Sequence, residues 1–571
     1  MIRLTFCFAV REPTFLSYRQ SSDHLSSVGR HFSTGKTQYS YNRMQSGAAS
    51  AASGLYTPPA VCTPSLQQLS QSAARFNLDI DEAELKQYQD VIKEAMASYQ
   101  RVDQMTEPIP VVKWPRTPGW RPEPEDNPHN AWYWRTEITG ASTGKLHGKT
   151  VAMKDTVAMA GVPLTCGSRI MEGYVPEYDA TIVTRILDAG KNLALYCGTI
   201  KGKSVCEDLC MSGDSFTSVT GPVLNAHDRT RSAGGSSSGS ATLLALEQVD
   251  MATGGDQGGS IRIPAAWSGV VGLKPTYGLV PYTGCVPLEI TLDHVGPMAR
   301  TVHDVALMLE VIAGYDNGLD PRQPANLTVP EYTTQLTGNM SGIRVGLLKE
   351  GFGNEWAEAD VDELVHAQAH RLTSAGAVVE DMSVPLHYPD ASHIYNVINE
   401  GCLETGIKGN GLGVGWKGFY PTSMLDAIAK GYRTRANDMP PTGKFTYLLY
   451  DCITTNYGTR FYAKGQNLSR LLTQAYNQAF SSHDVIIMPT IPFKATKLPN
   501  KDISISEICR TALSFGQMSN VCPTNLTGHP AISINAGFSH GLPVGMMIVG
   551  RHFDDATVLK VAHAFEKIRD S

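Results

Sequence analysis

Between Ser65 and Gln104 apolar side chains return at helical spacing: Leu66, Leu69 and Ala73, then Leu85, Tyr88, Val91, Ile92 and Ala95. Asp79 and Asp81 stand where they would cap the second run. This pattern predicts a small helical module over residues 63–106. Residues 107–130 are proline-rich and are expected to run extended across a surface. From Leu146 the pattern changes. Short apolar runs at 150–153, 192–196 and 345–348 alternate with helical periodicity at 180–188, 302–313, 359–375 and 555–568. Such alternation predicts an α/β domain with the sheet inside its helices. The proline- and glycine-rich stretches around 317–342 and 384–445 read as connections or subdomain excursions, and no internal repeat is present. The expected organisation is an extension and linker at 1–62, the helical module, and one large domain over 107–571.

Composition narrows the function classes. The chain carries 48 basic and 54 acidic side chains, a net charge of −6, which argues against a nucleic-acid or anionic-membrane partner. No apolar run reaches eighteen residues, so no spanning helix is expected. Most cysteines sit in apolar company (Cys166, Cys197, Cys285, Cys522), as reduced, buried thiols do, and the expected location is intracellular. The first 45 residues hold Arg3, Arg11, Arg19, Arg30, Arg43 and Lys36 against only Glu12 and Asp23. That composition resembles an organellar transit peptide, giving a mitochondrial location; as an untargeted extension ahead of Met44 it gives a cytoplasmic one. Glycine is in slight excess, 53 of 571, and fourteen glycines crowd between Gly202 and Gly284.

Several chemical-looking motifs lack their context. Gly413 to Gly418 spells G-x-G-x-x-G, yet neither follows a strand nor opens a helix. Gly148-Lys149-Thr150 ends like a P-loop, but Thr143 stands where the upstream glycine belongs. His366 and His370 have zinc-ligand spacing, with Ala367 in place of the general-base glutamate. Cys206 and Cys210 would share one helical face, but no second pair of fitting spacing follows, so buried thiols are expected. The nucleophile-elbow pattern Gly235 to Gly239 is preceded by the polar loop 225–233 rather than a strand. No cofactor and no metal are expected.

Three segments fit one another: T-V-A-M-K-D at 150–155, A-G-G-S-S-S-G-S at 233–240, and G-G-D-Q-G-G-S-I-R-I-P-A-A at 254–266, running on to G-L-K-P-T at 272–276. In these the sequence resembles the amidase signature family. The likeness continues in D-H-V-G-P-M-A-R at 293–300, N-L-T-G-H-P-A at 525–531, G-L-P-V-G at 541–545 and Gly550, and covers about residues 107–568. The helical module, C-E-D-L-C at 206–210 and G-G-D-Q-G-G-S look most like bacterial nitrile-pathway amidases of broad range. The resemblance implies an α/β/α sandwich around a mixed sheet, with a helical N-terminal module. It implies that Ser260 is the nucleophile, Ser236 a bridging serine in a cis peptide, and Lys154 the base, with backbone N–H groups of Gln257, Gly258, Gly259 and Ser260 meeting the substrate oxygen.

Elementary chemistry agrees. A serine hydroxyl is a weak nucleophile until a base takes its proton, and lysine serves only when desolvated and free of a carboxylate. Asp155 follows Lys154 directly, but on a strand it points to the opposite face. The implied activity is cofactor-independent hydrolysis of a small carboxamide to acid and ammonia through an acyl-enzyme, in a chain that resemblance would make a homodimer. The alternatives are the glutaminase subunit of a tRNA-dependent amidotransferase and a non-catalytic binding module. Three departures stand out: Ser238 where the family has glycine, Ala226-His227 in place of proline-tryptophan, and a longer link at 195–202 leading to the expected helix with Cys206 and Cys210.

Overall fold

The structure, a computed structural model, describes residues 60–569 except 142, 190–198 and 501. The transit-like segment, most of the linker, the run at 192–196 and the first half of the 195–202 link lie outside the described residues. Eleven strands build one mixed sheet: β1 Trp132–Thr139, β2 Thr150–Lys154, β3 Thr199–Ser204, β4 Met251–Asp256, β5 Val271–Lys274, β6 His294–Ala299, β7 Arg344–Leu348, β8 Val378–Met382, β9 Val485–Pro489, β10 Ala531–Ser539 and β11 Leu542–Gly550. Their order across the sheet is β1-β3-β2-β4-β6-β5-β10-β11-β9-β7-β8. β2 runs parallel to both β3 and β4, whereas β4–β6, β5–β10 and β10–β11 are antiparallel.

Every residue of β4, β6 and β11 is buried, because helices cover both faces and leave no solvent side for polar residues. Side chains of β11 separate by parity. Met546 and Ile548 pack with Leu309 and Phe565 of the helices Val302–Ile312 and Asp555–Arg569. Met547 and Val549 pack on the other face with Trp267, Tyr476 and Phe480, from the helices Arg262–Ser268 and Arg460–Ser482. The result is the α/β/α layering the alternating pattern predicts.

The four helices expected in the main body appear as Thr181–Asp188, Val302–Ile312, Ala359–His370 (followed by a 3-10 turn to Ala375) and Asp555–Arg569. The runs at 150–153 and 345–348 are β2 and β7. At the N-terminal side α1 (Leu66–Arg75) carries a Ser65–Gln68 capping box, and α2 (Glu82–Asp103) is capped by Asp81 rather than Asp79. Among the described residues no helix is long and apolar enough to cross a membrane.

Two readings need correction. Residues 199–202, taken as part of the 195–202 link, belong to β3 (Thr199–Ser204), a polar strand (T-I-K-G-K-S) whose lysine stems hide its periodicity. Residues 206–210 form no helix. Leu209 and Cys210 adopt left-handed backbone (φ 45° and 61°), which ends helical propagation in a short 3-10 turn. The 384–445 stretch also holds more order than its glycines and prolines suggest, with helices Asp390–Ile398 and Thr422–Arg435 followed by Pro441–Tyr457.

Candidate active site

β2 ends on a lysine because the neighbouring strand offers it polar partners. Lys154 is fully buried; its backbone N–H donates to Thr253 Oγ1 (2.9 Å), and its Nζ donates to Ser236 Oγ (2.8 Å) and to the Gly255 carbonyl (3.2 Å). Thr253 and Gly255 lie on β4, parallel to β2. Asp155 turns the other way, as expected. It pairs with Lys203 (3.1 Å) and accepts from the Thr165 hydroxyl (2.7 Å). Among the described residues the buried ion pairs near this strand go to Lys203 and Arg262, not to Lys154.

The Ser236 loop is stitched to both neighbours. The Gly235–Ser236 peptide is cis. A Cβ on Gly235 would stand 2.1 Å from the Asp214 carbonyl oxygen, so only glycine lets the two backbones meet. The Ser236 carbonyl accepts from Glu207 N (3.3 Å), and Ser237 N donates to the Ser260 carbonyl (3.2 Å). Ser237 Oγ is held on the Gly255 backbone at 3.3 Å, in the polar-loop context that disfavours an elbow nucleophile. Ser238, the departure from glycine, finds a use. Its buried hydroxyl donates to Glu207 Oε1 (3.0 Å), and the preceding cis bond stays intact beside it.

The glycine-serine loop after β4 is tied by a knot the sequence reading did not single out. Asp256 accepts from Arg262 Nε and Nη2 (both 2.9 Å) and from Asn525 Nδ2 (2.9 Å). Arg262 also donates to Thr524 Oγ1 (2.6 Å) and Asn525 Oδ1 (2.8 Å). Burial works to raise the Asp256 carboxyl, but the Arg262 guanidinium outweighs it and holds the group well below the usual carboxylate range. The signal was available: an acid and an arginine six apart, flanking a glycine loop inside an apolar stretch, are seldom buried unless paired. One expectation narrows. The Gly259 N–H donates to Asp256 Oδ1 (2.8 Å) and is spent there, at a φ of +121° that suits glycine. The buried Gln257 side chain donates from Nε2 to Tyr282 OH (3.0 Å). Tyr282 lines an apolar cavity of about 70 Å³ with Leu319, Trp416, Phe419 and Pro421.

The rejected motifs keep ordinary roles. Lys149 pairs with Asp304 (2.8 Å), His366 and His370 lie exposed on their helix, and 413–418 is loop. Cys206 and Cys210 are buried free thiols, but Cys166 joins them from 40 residues upstream.

Beside them lie buried acids. Glu207 is pushed up to about 7 and Asp208 to about 8, in both cases chiefly by burial. Asp293 (about 8) and Asp555 (about 6) are raised for the same reason. The native chain therefore keeps protons that the unfolded chain releases near pH 4. This stabilisation is full below that point and is lost as pH rises through 6 to 8. For Asp208 alone the slope is about 1 kcal/mol per pH unit. Asp208→Asn is expected to flatten the fall in unfolding midpoint between pH 5.5 and 8.5, measured by thermal melts; an unchanged slope refutes it.

The layered mixed sheet and its flanking helices, together with the family match over residues 124–559, place the chain among α/β enzymes that hydrolyse carbon–nitrogen amide bonds. Residues 124–559 match the Amidase family, and the chain belongs to it. It is 42% identical over 510 residues to an enantioselective amidase of Rhodococcus rhodochrous, covering 88% of this chain and 95% of that one. It is 36% identical over 431 residues to a glutamyl-tRNA(Gln) amidotransferase subunit of Methanosarcina acetivorans, covering 75% and 86%. Among solved structures it resembles the glutamyl-tRNA(Gln) amidotransferase subunit of Thermotoga maritima (TM-score 0.61, 30% identity, 77% of this chain and 88% of that one). It also resembles the peptide amidase of Stenotrophomonas maltophilia (TM-score 0.62, 26% identity, 75% and 84%).

Proposed function

We propose that this chain is a free-standing serine amidase working through a lysine–serine–serine relay. The observation that carries the reading is Lys154 Nζ at 2.8 Å from Ser236 Oγ, in a fully buried site where the neighbouring acid is engaged elsewhere. Lys154 takes the Ser236 proton as Ser236 takes that of Ser260, and Ser260 Oγ attacks the carboxamide carbon. Backbone N–H groups of Gln257, Gly258 and Ser260 stabilise the oxyanion, the Gly259 donor being committed to Asp256. The relay returns the proton to the leaving nitrogen, ammonia departs, and water releases the acid from Ser260. The apolar cavity lined by Tyr282, the hydrogen-bond partner of Gln257, supports an apolar acyl group.

The helices before residue 107 favour a free-standing enzyme over one component of an amidotransferase. An alignment of 510 residues is longer than the stretch from 124 to the C-terminus, so the likeness to the enantioselective amidase takes in part of those helices. The purified chain should release ammonia from benzamide, faster than from acetamide, with indole-3-acetamide and glutamine tested beside them. No ammonia from any of the four would sink the amidase reading. Ammonia from glutamine alone would make the chain an amidotransferase glutaminase.

A further inference from the structure

Beside Ser236, three cysteines from two separate segments converge. The sulfurs of Cys166, Cys206 and Cys210 lie within 4.8 Å of one another, all buried and none in a disulfide. Among the described residues they are the one group of three or more metal-ligating side chains this close. Two of the three residues, Cys166 (φ 50°) and Cys210 (φ 61°), stand in left-handed backbone, which side-chain-bearing residues rarely adopt. A packing role for small apolar side chains does not require that geometry. Cys210 also faces the Lys154 amine and the Ser236 hydroxyl.

We propose that Cys166, Cys206 and Cys210 form a three-sulfur site for a thiophilic divalent cation of the zinc group, and that its occupation stops amide hydrolysis. The binding half stands independently; the inhibitory half rests on the amidase reading above. The donor set is all sulfur, which selects soft d10 ions over magnesium or calcium. Zinc–sulfur bonds of about 2.3 Å in a tetrahedron set sulfurs about 3.8 Å apart, so ligation asks for about 1 Å of closing at most. The reaction balances as one M2+ and three thiols giving M(SR)3− and three protons, which pass to solvent while the fourth position is left to water.

Inhibition follows from connectivity. Glu207 sits between Cys206 and Cys210, and its backbone N–H holds the Ser236 carbonyl at 3.3 Å, while its carboxylate accepts from Ser238 Oγ at 3.0 Å. Drawing the two sulfurs together moves the residue that anchors the Ser236 loop on both sides. A shift of about 1 Å at a relay of this kind is worth about a hundredfold in rate.

The test titrates cadmium(II), then zinc(II), into the full chain with Cys62 and Cys452, the exposed thiols among the described residues, replaced by serine. The expected result is one cadmium per chain with the ultraviolet charge-transfer absorbance of three thiolates, accompanied by a fall of at least tenfold in ammonia release and reversed by EDTA. Cys206→Ser should keep hydrolysing amide, lose the absorbance and become insensitive to cadmium. Cys166→Ser, checked for an unchanged melting transition, should do the same. Absence of thiolate–cadmium absorbance, or absorbance that survives both substitutions, overturns the site. Inhibition that persists in Cys206→Ser overturns the link to hydrolysis. A chain that binds cadmium but releases no ammonia before its addition leaves the site standing and removes the amidase reading instead.

Discussion

Ser260→Ala is expected to lower amide turnover by at least about ten-thousand-fold while leaving the fold and substrate affinity in place. The serine is buried with 7% of its surface exposed, so losing one hydroxyl opens little space. Lys154→Met should cost a comparable factor, and the double variant little more than either single one, because members of a relay act as a unit. A fluorophosphonate probe should label the wild-type chain and Ser237→Ala but not Ser260→Ala. Labelling that survives in Ser260→Ala, or vanishes only in Ser237→Ala, would move the nucleophile to the elbow motif. Additive losses in the Lys154 and Ser260 pair would break the relay itself.

The largest structural effect is expected at Arg262. Arg262→Met strands the Asp256 carboxylate in a site with no exposed surface, leaving an unpaired buried charge that costs about 3–5 kcal/mol. The loop between Asp256 and Arg262 carries Gln257, Gly258 and Ser260, so activity should fall before the chain unfolds. Pairing the change with Asp256→Asn should recover most of the stability, because the charge is then removed with its partner. Urea midpoints with ammonia release at each urea concentration check both statements. A single variant as stable as wild type would show that the guanidinium does not hold this loop.

Much of this was legible in the chain. Strand-to-helix alternation predicts the layered sheet, and the family resemblance groups the segments of Lys154, Ser236 and Ser260, which the structure links through Gly255 and the Ser237–Ser260 backbone bond. What escaped was decided by contacts distant in sequence. Asn525 appears in a motif with no stated role, and only folding sets it on Asp256. β3 hides because Lys201 and Lys203 break its apolar rhythm, although Lys203 is buried against Asp155. The turn at 206–210 escaped because a helix pattern says nothing of the left-handed backbone at Leu209 and Cys210. Cys166 could not be joined to Cys206 by spacing rules that look for paired short intervals.

The bond from Asn525 to Asp256 spans 269 residues of chain. At ribosomal rates of about 5–20 residues per second, roughly a quarter to most of a minute separates the emergence of its two ends. From the first few residues of that interval Lys154, Ser236 and Ser260 have all been synthesised, but the loop bearing Ser260 lacks its second clamp. Under the proposed relay, catalytic competence is thus a late event in the synthesis of each molecule, and a nascent chain carries Ser260 before it holds that serine in place.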